Sequence, residues 1–145
     1  MKYCLNLGEQ ALEMGNPPVG AILVHKNEII GEGIESGKST GDITNHAEIL
    51  AVRDAINKGH AEQLKEAKMY TTHEPCIMCS YLIRHHKILM IIYGISVDYI
   101  GGCTSKFNLL ETESIPKWGS KPKIISGILK NECSKLSNKF ELLKK

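Results

Sequence analysis

Two short stretches carry side chains able to do chemistry: His46-Ala47-Glu48 and Pro75-Cys76-Ile77-Met78-Cys79. Imidazole and thiolate are the ligands that divalent zinc favours, and three of them leave one vertex of a tetrahedron open to water. Cys76 and Cys79 stand three residues apart, so within the first turn of a helix both sulfurs can face one ion. The positive end of that helix's dipole would help hold them as thiolates. His46 supplies the third ligand. Glu48, two residues further on, is assigned as a proton shuttle rather than a ligand. Zinc lowers the pKa of a bound water from ~16 towards ~7, and a carboxylate beside it can take that proton and return it to a leaving group. Taken alone, Cys76 and Cys79 also suit a redox pair, or a structural zinc clip with Cys103 as a fourth ligand. Neither alternative gives Glu48 a task.

The elements that must position these groups follow from periodicity. Cys4, Leu7, Gly8, Ala11 and Leu12 recur at helical spacing, and Gly15-Asn16-Pro17-Pro18 ends that helix. Val19 to His25 and Glu28 to Ile34 read as two strands of a hairpin, with Lys26-Asn27 as the turn. A polar loop from Glu35 to Asn45 leads to a helix from His46 to Asn57. Lys68 to Thr72 is strand-like, and Pro75 suits the first turn of a helix ending near His86. Ile88 to Tyr93 is a continuous apolar run, as expected of a strand buried on both faces. A short helix is predicted over Ser105–Glu111, a last strand over Lys123–Ser126 and a closing helix over Leu129–Leu143. Strands alternating with helices predict an α/β sandwich around a mixed sheet that opens with an antiparallel hairpin. Both reactive stretches follow a strand and open a helix, so they can meet at one sheet edge, where ligands of such folds bind.

Composition narrows the class. The chain has 145 residues, 42% hydrophobic and 23% charged, which fits one ordered domain spanning 1–145 and excludes wholesale disorder. No run of eighteen apolar residues and no secretory leader is present, so a cytoplasmic protein without a membrane span is expected. Five cysteines, an odd number, do not make a disulfide framework in a chain of this kind. Net charge is only +2, yet residues 117–145 hold eight Lys against two Glu. That segment is read as a solvated helix rather than an RNA-binding tail.

His-x-Glu followed about thirty residues later by Pro-Cys-x-x-Cys is the signature of the zinc nucleobase deaminases. The sequence resembles the cytidine/deoxycytidylate deaminase-like superfamily, in particular the branch of tRNA adenosine deaminases, guanine deaminases and fungal-type cytosine deaminases. The resemblance runs through Pro18-Val19-Gly20-Ala21, Gly31-Glu32-Gly33, His46-Ala47-Glu48, Thr72-His73-Glu74-Pro75-Cys76-Ile77-Met78-Cys79 and Tyr93-Gly94. It implies a three-layer α-β-α sandwich on a five-stranded mixed sheet with its last two strands parallel. It also implies a catalytic Zn2+, a homodimer, and hydrolytic release of ammonia with Glu48 serving the ring nitrogen and the amine. The N–H of Cys76 and the carbonyl of Ala47 would face the reacting groups.

Two departures direct the substrate expectation. Where tRNA and guanine deaminases carry a base-binding Asn after the second strand, this chain has Glu35, with Asn45 as a substitute amide. Where bacterial tRNA deaminases carry Ala-Arg-Asp after Tyr-Gly, it reads Ile95-Ser96-Val97-Asp98. The substrate-contacting set is then Glu35, Asn45, Ala47, Pro75 and Phe107, the last as a stacking ring on a segment, Gly101–Phe107, that covers the pocket. His73 stands near enough to line the pocket, and Glu74 is read as a brace for its loop. The expected substrate is a small free nucleobase or nucleoside, guanine-, cytosine- or isocytosine-like, with RNA not favoured. The alternative is a tRNA-specific adenosine deaminase.

Overall fold

The computed structural model describes all of residues 1–145. Its elements are α1 (Lys2–Glu13), β1 (Gly20–His25), β2 (Glu28–Ile34), a single-turn α2 (Gly37–Thr40), α3 (Ala47–Asn57), β3 (Lys68–His73), α4 (Ile77–His85), β4 (Met90–Ile95), β5 (Lys123–Ile125) and α5 (Lys130–Leu143). Short 3-10 turns cover Ala61–Glu66 and Pro116–Trp118. The sheet order is β2-β1-β3-β4-β5. β1 pairs antiparallel with β2 and β3, while β3–β4 and β4–β5 are parallel. The five-stranded mixed sheet anticipated from the sequence is therefore present, and no helix is long and apolar enough to cross a membrane.

Alternation along the strands sorts side chains into two cores. Ala21, Leu23, Met69, Ile91 and Tyr93 face α3 and α4 in one cluster with Ala51, Val52, Ala55 and Ile83. Ile22 points the other way, onto Cys4 and Leu7 of α1. This period-two division makes the chain three-layered. Gly31 and Gly33 explain how α3 reaches the sheet so closely. A β-carbon at either position would collide with backbone of α3, at Ala51 and Ala47 respectively. The β1–β2 hairpin turns through Lys26 and Asn27, both at positive φ (49° and 65°), the backbone that a two-residue turn between twisted strands requires.

Three sequence expectations move. α4 starts at Ile77, with Cys76 as its N-cap, so Pro75 lies ahead of the helix rather than in its first turn. The apolar run from Ile88 enters the sheet only at Met90 and continues to Ile95. Lys87, at φ 55°, turns the chain first, and Ile88 N–H closes back on Ile83 O. No helix forms over residues 105–111. The N–H of Leu110 donates to Gly102 O, and the carbonyls of Leu109 and Thr112 accept from the Arg84 guanidinium at 2.7 and 2.6 Å. The end of the segment is tied to Gly102 and to a buried arginine instead.

Candidate active site

His46 and Cys76 occupy equivalent places. Each is the N-cap of its helix, in extended backbone conformation, and neither spends its side chain on capping. The side chains are therefore free to turn away from the helix ends, and Cys79, one turn into α4, joins them. His46 Nδ1 lies 3.5 Å from both Cys76 Sγ and Cys79 Sγ, and the three ligand atoms all fall within 4.8 Å of one another. A tetrahedral zinc with bonds of ~2.05 Å to nitrogen and ~2.3 Å to sulfur would separate those atoms by ~3.5 Å. The geometry fits the ion. Cys103 is not in the cluster; its N–H donates to Glu74 and burial pushes its thiol up to about 12.

Proton positions suit a metal centre as well. The Cys76 thiol is pulled down to about 4, first by its contact with Cys79 and then by His46. His46 is raised to about 9, chiefly by Cys76. Cys79 is driven well above its ordinary value by sharing that contact and by burial. A divalent cation binds the deprotonated forms and displaces these shared protons.

Glu48 sits in the first turn of α3, beside the cluster and 4% exposed. Thr71 Oγ1 is 3.2 Å from its Oε1, and Cys79 Sγ is 3.5 Å from its Oε2. Burial raises its carboxyl to about 7. A carboxyl balanced near neutrality can both take and give a proton at working pH.

These groups open into a pocket of about 160 Å³. Its polar wall is Glu35, His46, Glu48, His73, Glu74 and Cys76; its apolar wall is Pro17, Val19, Val97 and Ile100. Pockets that enclose drug-sized ligands measure ~300–1,000 Å³, so this one admits a single flat ring system and leaves the remainder of a larger substrate outside.

The other sequence-nominated residues divide. Glu35 lines the pocket, and its two oxygens accept from Gly37 N–H and Ala47 N–H at 3.1 and 3.2 Å. Burial raises its carboxyl. It braces the start of α3 from inside the pocket. Asn45 bonds Thr40 and Arg53, away from the pocket wall. Ala47 is fully buried, and Pro75 O accepts from Gly102 N–H and Ser80 Oγ. Phe107 is 46% exposed, with Lys106 Nζ 5.2 Å from its ring centre, and it is not part of the pocket wall.

Pro17, Val19, Val97 and Ile100 were not anticipated, because only the folded sheet brings the end of α1 opposite the segment after β4. Glu74 is 2% exposed, and its carboxylate accepts from the N–H groups of Val97, Cys103 and Thr104 and from Thr104 Oγ1. It straps residues 97–104 against the turn bearing Cys76.

Three layers around a mixed sheet, with a zinc-fitting His-Cys-Cys cluster and a buried carboxylate at two helix N-termini, define a zinc-dependent hydrolase of the deaminase type. Comparison with known proteins makes the assignment specific: the chain belongs to the family described as the cytidine and deoxycytidylate deaminase zinc-binding region, which matches residues 1–95. It is 36% identical to the tRNA-specific adenosine deaminase of Haemophilus influenzae over 97% of this chain and 81% of that one. It is 35% identical to the enzyme of that name from Aquifex aeolicus, over 95% and 94% of the two chains. A structure solved in a study of A-to-I editing by tRNA:A34 deaminases at the wobble position superposes with a TM-score of 0.85 at 29% identity, covering 94% of this chain and 96% of the other.

These likenesses overturn one expectation. A free nucleobase or nucleoside as the substrate, with RNA not favoured, does not stand against near-full-length relatives named for tRNA. Glu35 and Ile95-Ser96-Val97-Asp98 were weighed as signs of a changed substrate. Glu35 carries a local bracing role, and Val97 contributes apolar wall.

Proposed function

We propose that this protein deaminates adenosine to inosine within the anticodon loop of a tRNA. The observation that carries the proposal is the likeness to tRNA-specific adenosine deaminases along 95–97% of the chain. The pocket supports it physically. Space for one base and no more suits a nucleotide extruded from a loop, with its neighbours left on the protein surface.

In this reading His46, Cys76 and Cys79 hold zinc, which supplies an activated water when bound. Glu48 would move the protons: its Oε atoms take one from the water as the water oxygen bonds C6, deliver it to N1 of the base, and carry the second from that oxygen to the amine as the C6–N6 bond breaks and ammonia leaves. Thr71 orients that carboxylate through Oε1. Pro17, Val19, Val97 and Ile100 exclude bulk water from the ring. The lysines of residues 117–145 provide positive charge for phosphate contacts. A homodimer belongs to the same proposal, with the half-exposed Tyr81 on α4 as apolar surface for a second copy. So does a cytoplasmic location, which suits five unpaired cysteines.

The test offers an anticodon stem-loop bearing the target adenosine beside a panel of free bases and nucleosides, at two salt concentrations. Inosine formation in the RNA, weakening as salt rises, is the expected result. Ammonia release from free bases alone would overturn it.

A further inference from the structure

His73 is the one imidazole in the pocket that the zinc site does not use. It ends β3, opposite Ile95 of β4, and lines the same pocket as Glu48 and Cys76. Burial lowers its pKa to about 4, so the ring is neutral under ordinary conditions and has one N–H and one bare nitrogen.

Which nitrogen carries the hydrogen follows from its neighbour. Thr72 Oγ1 lies 2.9 Å from His73 Nδ1. The same oxygen accepts Gly20 N–H at 3.3 Å and stands 3.4 Å from Pro18 O. The hydroxyl has a single hydrogen, and the imidazole nitrogen is much the nearer acceptor. With Nδ1 accepting from Thr72, the ring hydrogen resides on Nε2; the opposite tautomer would need the hydroxyl turned to Pro18 O at 3.4 Å. Nε2 has no partner within the chain, whereas Glu35 and Glu74, the other polar wall groups besides Glu48 and the ligand cluster, already accept backbone N–H bonds. A fixed, neutral, unpartnered donor in a pocket sized for one base calls for an acceptor on the ligand.

We infer that His73 is a substrate-reading residue, its Nε2–H donating to a ring nitrogen of the purine, N3 or N7, while the C6 edge faces Glu48. This rests on the adenosine reading above and names the group that orients the ring within it. N1 is excluded as the acceptor because that edge belongs to Glu48. Only N3 and N7 remain as acceptors on adenine, so the inference is confined to two atoms.

The experiment deletes the hydrogen bond from both sides. Stem-loops carrying adenosine, 3-deazaadenosine or 7-deazaadenosine at the target position are compared with wild-type protein, His73→Leu and His73→Gln, all zinc-loaded, and kcat/KM is measured for each. Zinc content and thermal unfolding are checked in every variant. On wild type, one of the two deaza substrates should lose about 10- to 100-fold, since a donor left unpaired in a closed site is costly. His73→Leu should lose a similar factor on adenosine but show no further loss with that deaza substrate. His73→Gln, whose amide restores a donor, should recover part of the rate. Equal penalties for the deaza substrates in wild type and His73→Leu would overturn the assignment, because a merely structural histidine cannot sense a single atom of the base. A wild-type protein inactive on the unmodified stem-loop would instead overturn the adenosine reading itself, so the two failures are distinct.

Discussion

The floor of the pocket and its outer wall are built on different principles. The floor is made of secondary structure: β2 and β3 lead the chain to the N-termini of α3 and α4, and His46, Glu48, Cys76 and Cys79 take their places from helical geometry. The wall, residues 96–119, has almost no regular structure. Two buried charges hold it, and each is satisfied largely by backbone. Glu74 collects three N–H groups and a hydroxyl. Arg84, 1% exposed, donates to the carbonyls of Leu109, Thr112 and Gly119 and lies 5.2 Å from the Trp118 ring centre. A group that must meet a reacting atom is set by a helix end. A wall that need only have a fixed shape can hang on single side chains. Damage to the floor should therefore abolish chemistry while leaving the fold, and damage to the wall should do the reverse.

The largest effect is expected on the floor. Glu48→Gln keeps the volume and removes the proton carrier, so turnover on the stem-loop should fall by about 10²–10⁴-fold. Zinc measured by atomic absorption should stay at one ion per chain, because Glu48 is outside the ligand cluster. The variant should also unfold no earlier than wild type, since it replaces a buried carboxyl whose charged form burial already penalises. Activity within tenfold of wild type would remove Glu48 from its role.

The same contrast explains what could be read from the chain alone. The floor was legible because each of its parts is local: a triplet and a pentapeptide, each following a strand and opening a helix, fix the relative placement of four side chains. The sheet was legible through its apolar runs and through the turn at Lys26-Asn27. The wall was not. Arg84 looks like an ordinary basic residue in the last turn of α4, where a positive charge suits the dipole. Nothing nearby in sequence shows that it turns inward to carbonyls 25 to 35 residues away. The helix expected at Ser105–Glu111 failed for that reason. The substrate was misread by taking Glu35 and Ile95-Ser96-Val97-Asp98 as departures that disfavoured tRNA, before the fold showed Glu35 bracing the start of α3 and Val97 in the pocket wall.

On the wall the order of effects should invert. Arg84→Met retains an unbranched apolar stem but leaves the carbonyls of Leu109, Thr112 and Gly119 without their donor and removes the cation from the Trp118 face. Hydrogen bonds from charged donors are worth about 1.5–3 kcal/mol each, and the groups left behind are only partly rehydrated. Stability in urea should drop by about 2–4 kcal/mol, while kcat on the stem-loop, at a temperature where the variant is folded, should stay within a few-fold of wild type. A loss of kcat comparable to that of Glu48→Gln, with unchanged stability, would erase the distinction between the two regions.

The smallest effect tests whether the neutral imidazole between floor and wall is held as described. The folded-state pKa of His73 is about 4, against an ordinary value of 6.5. Between those values the unfolded chain binds a proton that the folded chain does not, so this group makes stability fall as pH drops from 6.5 towards 4 and adds nothing further below that. Glu48 works in the opposite direction, since a carboxyl raised to about 7 binds its proton more readily in the folded state. Acid release of zinc adds its own loss. The total profile therefore does not isolate His73, but a difference does. Measured in parallel, His73→Leu should lose less stability than wild type over that window, by roughly 1–3 kcal/mol, with the gap closing above pH 7. Parallel curves would mean that the imidazole is solvated and free to charge, and the fixed Nε2–H donor facing the base would lose its physical basis along with the low pKa.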